Sequence, residues 1–475
     1  QSLSSVEHDY LKDGFLAKTR EEELPAENYT AAINKDIADV TAEVLSAVSD
    51  TLTPAQRAKA IDERSREIEG KWKEKTKLDC RVTDMYNGLK YYLFTSERML
   101  DIRLVYAPPS SIGNYGGEVD NWIWPRHTGD FSIFRAYVGP DGKPARYSKQ
   151  NVPYKPAKYL PVSGQGVHEG DFVMVMGYPG RTFRYRDSYS IAVAQEETYP
   201  LTVDLFKTQM DLLEKAGKKD KAVEIKVASK IRRLANTYKN YQGMREGIGK
   251  YKVLEWKQNL EKDFTKWLAT SSELQKKYGD ILPNLGKAYS EVRTYNKKQI
   301  MMQNLFLGSD LLRIATRFVN FAQSKAKQEP SEAEISNLKK FVRDIHKDAD
   351  VATEKGILSA LFLKAGDLPQ GQKVAPVEEI IRGKTGEKRD EAIREFIDDI
   401  YSDTHLTSID GCDELITKDA EKIEDDPFVR LAGQLDKENK HILEKVNNVN
   451  VTITALRARL MEAWSQWKGG LTYPE

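Results

Sequence analysis

The chain has 475 residues, 31% charged and 40% hydrophobic, with 73 lysines and arginines against 72 aspartates and glutamates. That balance argues against a dedicated nucleic-acid binder, which carries a basic surplus to meet phosphate. No apolar run approaches the roughly 20 residues needed to cross a bilayer, so no membrane partner is expected. Two distant cysteines, Cys80 and Cys412, exclude a disulfide-rich scaffold and any CxxC metal or redox motif, and two unpaired thiols are expected.

The opening QSLSSVEHDYLKDGF lacks the basic and apolar regions of a signal peptide. The closing WKGGLTYPE passes through a Gly-Gly turn toward the start of a strand. Both ends read as cuts through a longer protein.

In chain order, Thr53-Pro54 ahead of AQRAKAIDERSREIEGKW predicts a helix with an N-cap and a proline in its first turn. Asn87-Gly88 between RVTDMY and LKYYLF predicts a β-hairpin. Residues 102–107, 131–138 and 172–177 are further β-rich runs, separated by glycine and proline turns. Residues 1–187 therefore read as a small antiparallel barrel or sandwich with a helical excursion.

Beyond residue 187 the periodicity becomes helical. Val203, Phe206, Met210 and Leu213 fall at helical spacing, as do Val227, Ile231, Leu234, Tyr238 and Tyr241. Ser331 and Glu334 form a capping-box pair, and a stripe from Ile442 through Val446, Val449, Ile453 and Leu456 to Leu460 runs toward Trp464. Residues 188–468 read as a helical bundle following, or inserted into, a β domain, with 469–475 as a linker back toward β structure. The fold class is α+β.

Residues 113–130, GNYGGEVDNWIWPRHTGD, carry the chemistry. Glycines allow close backbone approach to a ligand, and tryptophan with asparagine suits a pocket with an apolar wall and a directional polar group. A glycine-rich barrel turn with tryptophans plugging the core is the competing reading. Asp130, just before an apolar β run, stands where an acid that orients a catalytic histidine is needed. His127 lies too close in sequence to Asp130 for a triad and reads as a supporting or core histidine. The runs at residues 21–23 and 424–426 read as solvated surface.

The stretch GNYGGEVDNWIWPRHTGDFSIFRAYVG, with SLSSVEHDYLKDGF, EGDFVMVMGYPGRT and LANTYKNYQG, resembles the bacterial dipeptidyl-peptidase 7 and dipeptidyl-peptidase 11 family of serine exopeptidases. The resemblance implies a chymotrypsin-like double β-barrel with a large inserted helical domain. It implies that Asp130 is the triad aspartate, and that Asn121, Trp122 and Asn236 grip the free α-amine of an oligopeptide substrate. By its neighbours alone, Asn236 reads as a solvated helix position. The family's Asn-His-His-Cys and Gly-Asn-Ser-Gly motifs are absent from these 475 residues. The chain is accordingly expected to be a fragment without nucleophile, inactive alone, and a non-catalytic helical peptide-binding module is the alternative. A homodimer and a periplasmic or cell-surface location are implied by the family. Neither Ser163 nor Ser309 sits in a nucleophile elbow, and no HExxH pair suggests zinc, so no cofactor is expected.

Overall fold

In the computed structural model, which describes residues 3–470 apart from 50, 118, 176 and 178–182, strands crowd the first part of the chain and helices the rest. The helical turn α1 (Tyr10–Asp13) leads to β1 (Phe15–Leu16), β2 (Leu24–Pro25), β3 (Ala31–Asp39) and α2 (Thr41–Leu45). Helix α3 (Pro54–Thr76) starts where the sequence places it. Thr53 accepts the Gln56 N–H and Gln56 returns a bond to Thr53 N–H, while Pro54 fills a position whose N–H needs no partner.

The hairpin is present as β4 (Asp79–Met85) and β5 (Lys90–Met99), with Met85 opposite Lys90. Its turn takes four residues rather than two, and Tyr86, Asn87 and Gly88 all lie at positive φ. Ile68 of α3 is fully buried against this sheet in a small cluster with Val44 and Leu93. Next come β6 (Asp101–Ala107), α4 (Ser110–Gly113), β7 (Ile133–Val138) and β8 (Val152–Pro153). Two antiparallel sheets result, β3-β5-β4 and β1-β6-β7-β8, with β2 also on β6. Register along β6 and β7 runs from Asp101 opposite Tyr137 to Tyr106 opposite Ile133, so residues 108–132 form one long connection between adjacent strands. Connections of that length are usually functional.

One expected strand is not there. Residues 172–175 are irregular, with Phe172 at 88% and Val175 at 100% exposure. Residue 176 of that run lies outside the described ones. β-rich composition reports fitness for a pleated surface, and a strand forms only when a partner satisfies its backbone. Among the described residues no strand pairs with this run.

The helical part begins with α5 (Ser188–Val193), a π-helical turn at Ala194–Thr198, α6 (Tyr199–Gly217) and α7 (Lys221–Lys250). Then follow α8 (Val253–Leu268), α9 (Ser272–Tyr278), α10 (Ile281–Arg293), α11 (Asn296–Gly308) and α12 (Asp310–Lys325). Helix α13 (Glu332–His346) carries the expected Ser331–Glu334 capping box. It is followed by α14 (Val351–Ala365), α15 (Ala375–Ile381), α16 (Gly386–Asp403), α17 (Ile409–Thr417), α18 (Ala420–Asp425) and α19 (Pro427–Lys468).

Along α19 every member of the stripe from Ile442 to Leu460 is buried. Full burial of such a side chain contributes about 1.5–3 kcal/mol, so this helix is held by packing more than by propensity. One continuous core runs from Val193 to Trp464. Gly469, at positive φ, ends α19, and its neighbour Gly470 donates back to Ser465. Residues 471–475 lie outside the described residues.

Both acidic runs contain one residue that is not solvated. Glu23 is buried and accepts from Arg135 Nε and Tyr137 Oη, each at 2.8 Å. Asp426 is buried, accepts from Thr404 Oγ1 at 2.7 Å and His405 N at 2.9 Å, and caps α19 through Phe428 N. A run of like charges is a local pattern, whereas these partners lie on other elements. Both cysteines are free thiols, and burial pushes the Cys412 thiol up to about 12.

Candidate functional site

The long β6–β7 connection is shaped by a few backbone constraints. After α4, the chain turns back on itself, with Gly117 N–H donating to Asn114 O and Asp120 N–H to Gly116 O. Gly116 has φ +76°, and a Cβ there would stand 1.8 Å from Asp120 Oδ2, so no other residue fits. Further on, Thr128 Oγ1 donates to Ile112 O and Gly113 O, and Gly129 N–H donates to Ile112 O at 2.9 Å. These bonds strap the end of the connection to α4 just before Asp130.

Trp122 stands at the tip with φ +62°, a left-handed conformation that costs a bulky residue about 1–3 kcal/mol. Its ring is 61% exposed, and Trp124 is 90% exposed, so these tryptophans do not plug a core. The Trp122 indole N–H donates to Asn236 Oδ1 at 3.1 Å and to Asn236 O at 3.2 Å. Asn236 lies on α7, a helix capped by Asp220 and held to the N-terminal part by a Lys221–Asp9 ion pair at 3.3 Å. The sequence pattern around Asn236 shows only an exposed helix position. The structure gives it a partner in the other part of the chain.

Asn121 is half-buried, and its Oδ1 accepts from Arg126 Nη1 at 3.1 Å. A guanidinium only donates, so this bond sets which end of the amide faces Arg126. Arg126 was not singled out among the site residues; its position five residues beyond Asn121, next to His127, carries no signal of the contact. Asp130 is exposed, three residues before β7 begins. His127 is exposed too, which excludes the core reading and leaves the supporting one.

Ser163 and Ser309 lie outside this segment. Ser163 is exposed in an irregular stretch, and Ser309 is a buried N-cap of α12 that accepts from Leu312 N and donates to Glu354. Chemically, the arrangement offers amide oxygens and an aromatic face for a cationic group, with a carboxylate farther along the same connection.

Comparison with known proteins identifies relatives of the chain. The family model for peptidase S46 matches residues 1–475. An Asp/Glu-specific dipeptidyl-peptidase of Flavobacterium psychrophilum is 33% identical over 98% of this chain and 64% of its own length. Dipeptidyl-peptidase 7 of Porphyromonas gingivalis is 33% identical over 91% of this chain and 60% of its own length. The crystal structure of Porphyromonas endodontalis DPP11 in complex with the dipeptide Arg-Glu superposes with a TM-score of 0.85 at 27% identity, covering all of this chain and 68% of that one. The chain thus spans somewhat under two thirds of the length of these two sequence relatives.

Proposed function

The chain belongs to the peptidase S46 family, and from that premise we propose that it carries the substrate-amine site and the orienting acid of a serine-type dipeptidyl-peptidase. The observation that carries the reading is the Trp122–Asn236 hydrogen bond, which joins two of the three residues assigned to the amine. An enzyme that removes dipeptides locates a protonated α-amine at a fixed distance from the scissile carbonyl. Asn121 and Asn236 offer amide oxygens to its N–H groups, and the exposed Trp122 ring adds cation–π attraction. An amide oxygen accepts two hydrogen bonds, so acceptance from Trp122 leaves Asn236 able to take the ammonium as well.

Asp130 orients a histidine base and stabilises the imidazolium formed when that histidine takes the serine proton, for acyl transfer and hydrolysis by water. Those two residues belong to the Asn-His-His-Cys and Gly-Asn-Ser-Gly motifs, neither of which occurs in these 475 residues. These 475 residues alone therefore give no turnover. A homodimer in the periplasm or at the cell surface accompanies this reading. The deciding experiment compares a free-amine dipeptidyl substrate with its N-acetyl derivative on the native gene product. A hundredfold or greater fall in kcat/KM on acetylation is expected, and equal turnover of the two sinks the assignment.

A further inference from the structure

Away from residues 113–130, a cavity of about 330 Å³ opens between α7, α13 and the first turns of α12 and α14. That volume lies at the small end of ligand pockets. Leu213, Val227, Phe341, Ile345 and Ile357 give it apolar wall, and most of its remaining lining is charged. Lys230 and Arg313 are already spent on Asp310, at 3.5 and 2.9 Å.

Three charged groups of the lining are not spent. Asp344, in the last turn of α13, and Asp348, just beyond its end, are both exposed, and neither carboxylate pairs with a cation among the described residues. Arg233 of α7 is exposed and likewise pairs with no carboxylate among them.

Glu354 supplies a separate indication. It lines the cavity at only 3% exposure, and its Oε1 accepts from Ser309 Oγ and Leu311 N. Its Oε2 has no hydrogen-bond partner among the described residues. A buried carboxylate oxygen left unsatisfied is costly, and a ligand donor that reaches it removes that cost. No three His, Cys, Asp or Glu side chains among the described residues are set to hold a metal ion, which points to an organic cation instead.

An acid pair, one free guanidinium and a buried orphan acceptor around so small a volume match a ligand that is itself of both signs. We propose that this cavity is a second binding site, for a small zwitterion of amino-acid or dipeptide size. Asp344 and Asp348, with Glu354 behind them, take its ammonium, and Arg233 takes its carboxylate. The site is independent of the amine grip at Trp122, although Arg233 lies one turn from Asn236 on the same helix.

Equilibrium dialysis of labelled glycylglycine and of labelled glycine tests this on the native gene product. An Asn236→Ala variant weakens the first site and retains one bound molecule per chain at the second. An Asp344→Asn/Asp348→Asn variant on that background weakens binding at least tenfold, as does Arg233→Gln. These are exposed side chains, and circular dichroism checks that the fold is kept. Glycine binding as tightly as glycylglycine identifies a free amino acid as the ligand, and glycylglycine alone identifies a dipeptide. No binding of either compound by Asn236→Ala, or unchanged binding by the Asp344→Asn/Asp348→Asn variant, overturns the proposal. Asn236→Ala also reads out the first site on its own, so failure of one site is distinguishable from failure of the other.

Discussion

The indole nitrogen of Trp122 and the side chain of Asn236 are 114 residues apart in sequence and 3.1 Å apart in space. The bond ties the tip of a β6–β7 connection to the middle of α7. It also holds Trp122 in a backbone conformation that bulky residues avoid, so the geometry is maintained at a cost. Trp122→Phe keeps an aromatic face and removes the donor. A single neutral hydrogen bond contributes about 0.5–1.5 kcal/mol, so KM for free-amine dipeptidyl substrates rises about 3- to 10-fold. The turnover number stays within about twofold. Steady-state kinetics on the native gene product measures both, and a fall confined to kcat contradicts a role in gripping the amine.

Asp130→Asn tests the other end of the same connection. If Asp130 orients a histidine, the amide stabilises the wrong tautomer and kcat falls by about 10⁴. Because Asp130 is exposed and bears no structural load in the described fold, the urea midpoint stays where it was. A loss of less than tenfold removes Asp130 from the mechanism.

Glu354 sets a pH dependence of stability. Burial pushes its carboxyl up to about 7, from an ordinary value of 4.5, against the lowering effect of the Ser309 and Leu311 bonds. Between those two values the folded chain binds the proton more tightly than the unfolded chain. Stability therefore falls as pH rises from about 4.5 to about 7 and levels off above. The total is on the order of 3 kcal/mol. Glu354→Gln mimics the protonated form, so it flattens this segment of the curve and raises stability at pH 8. Urea midpoints of both proteins at pH 5 and pH 8 check it; identical slopes contradict the claim.

At the start of α13, Ser331→Ala removes half of the reciprocal pair with Glu334. The loss is about 1 kcal/mol of stability, with activity unaffected, readable in denaturant unfolding. Ser331→Asp restores most of it, since a carboxylate caps the same N–H groups.

Much of the architecture was legible because its causes are local. Thr53 with Gln56, and Ser331 with Glu334, mark helix starts through bonds made within four residues. The spacing from Ile442 to Leu460 marks a buried face whatever it packs on. Asn121, Trp122, Asp130 and Asn236 were identified through a resemblance carried by long motifs, and spacing contributed nothing to the last of them. Residues 172–175 misled because apolar β-formers record a preference, while a strand needs a partner that the described residues do not supply.

The sequence by itself determined where α3 and α13 begin, the β-then-α order and the family to which the motif at residues 113–130 ties the chain. Backbone hydrogen bonding and side-chain periodicity are written over a few residues, so those features can be read without a fold. Tertiary structure alone decided that Trp122 meets Asn236, that Arg126 holds Asn121, and that Glu23 and Asp426 are buried inside runs that look solvated. Burial and pairing depend on elements far away in the chain. No local pattern of charge or polarity records which partner the fold will bring.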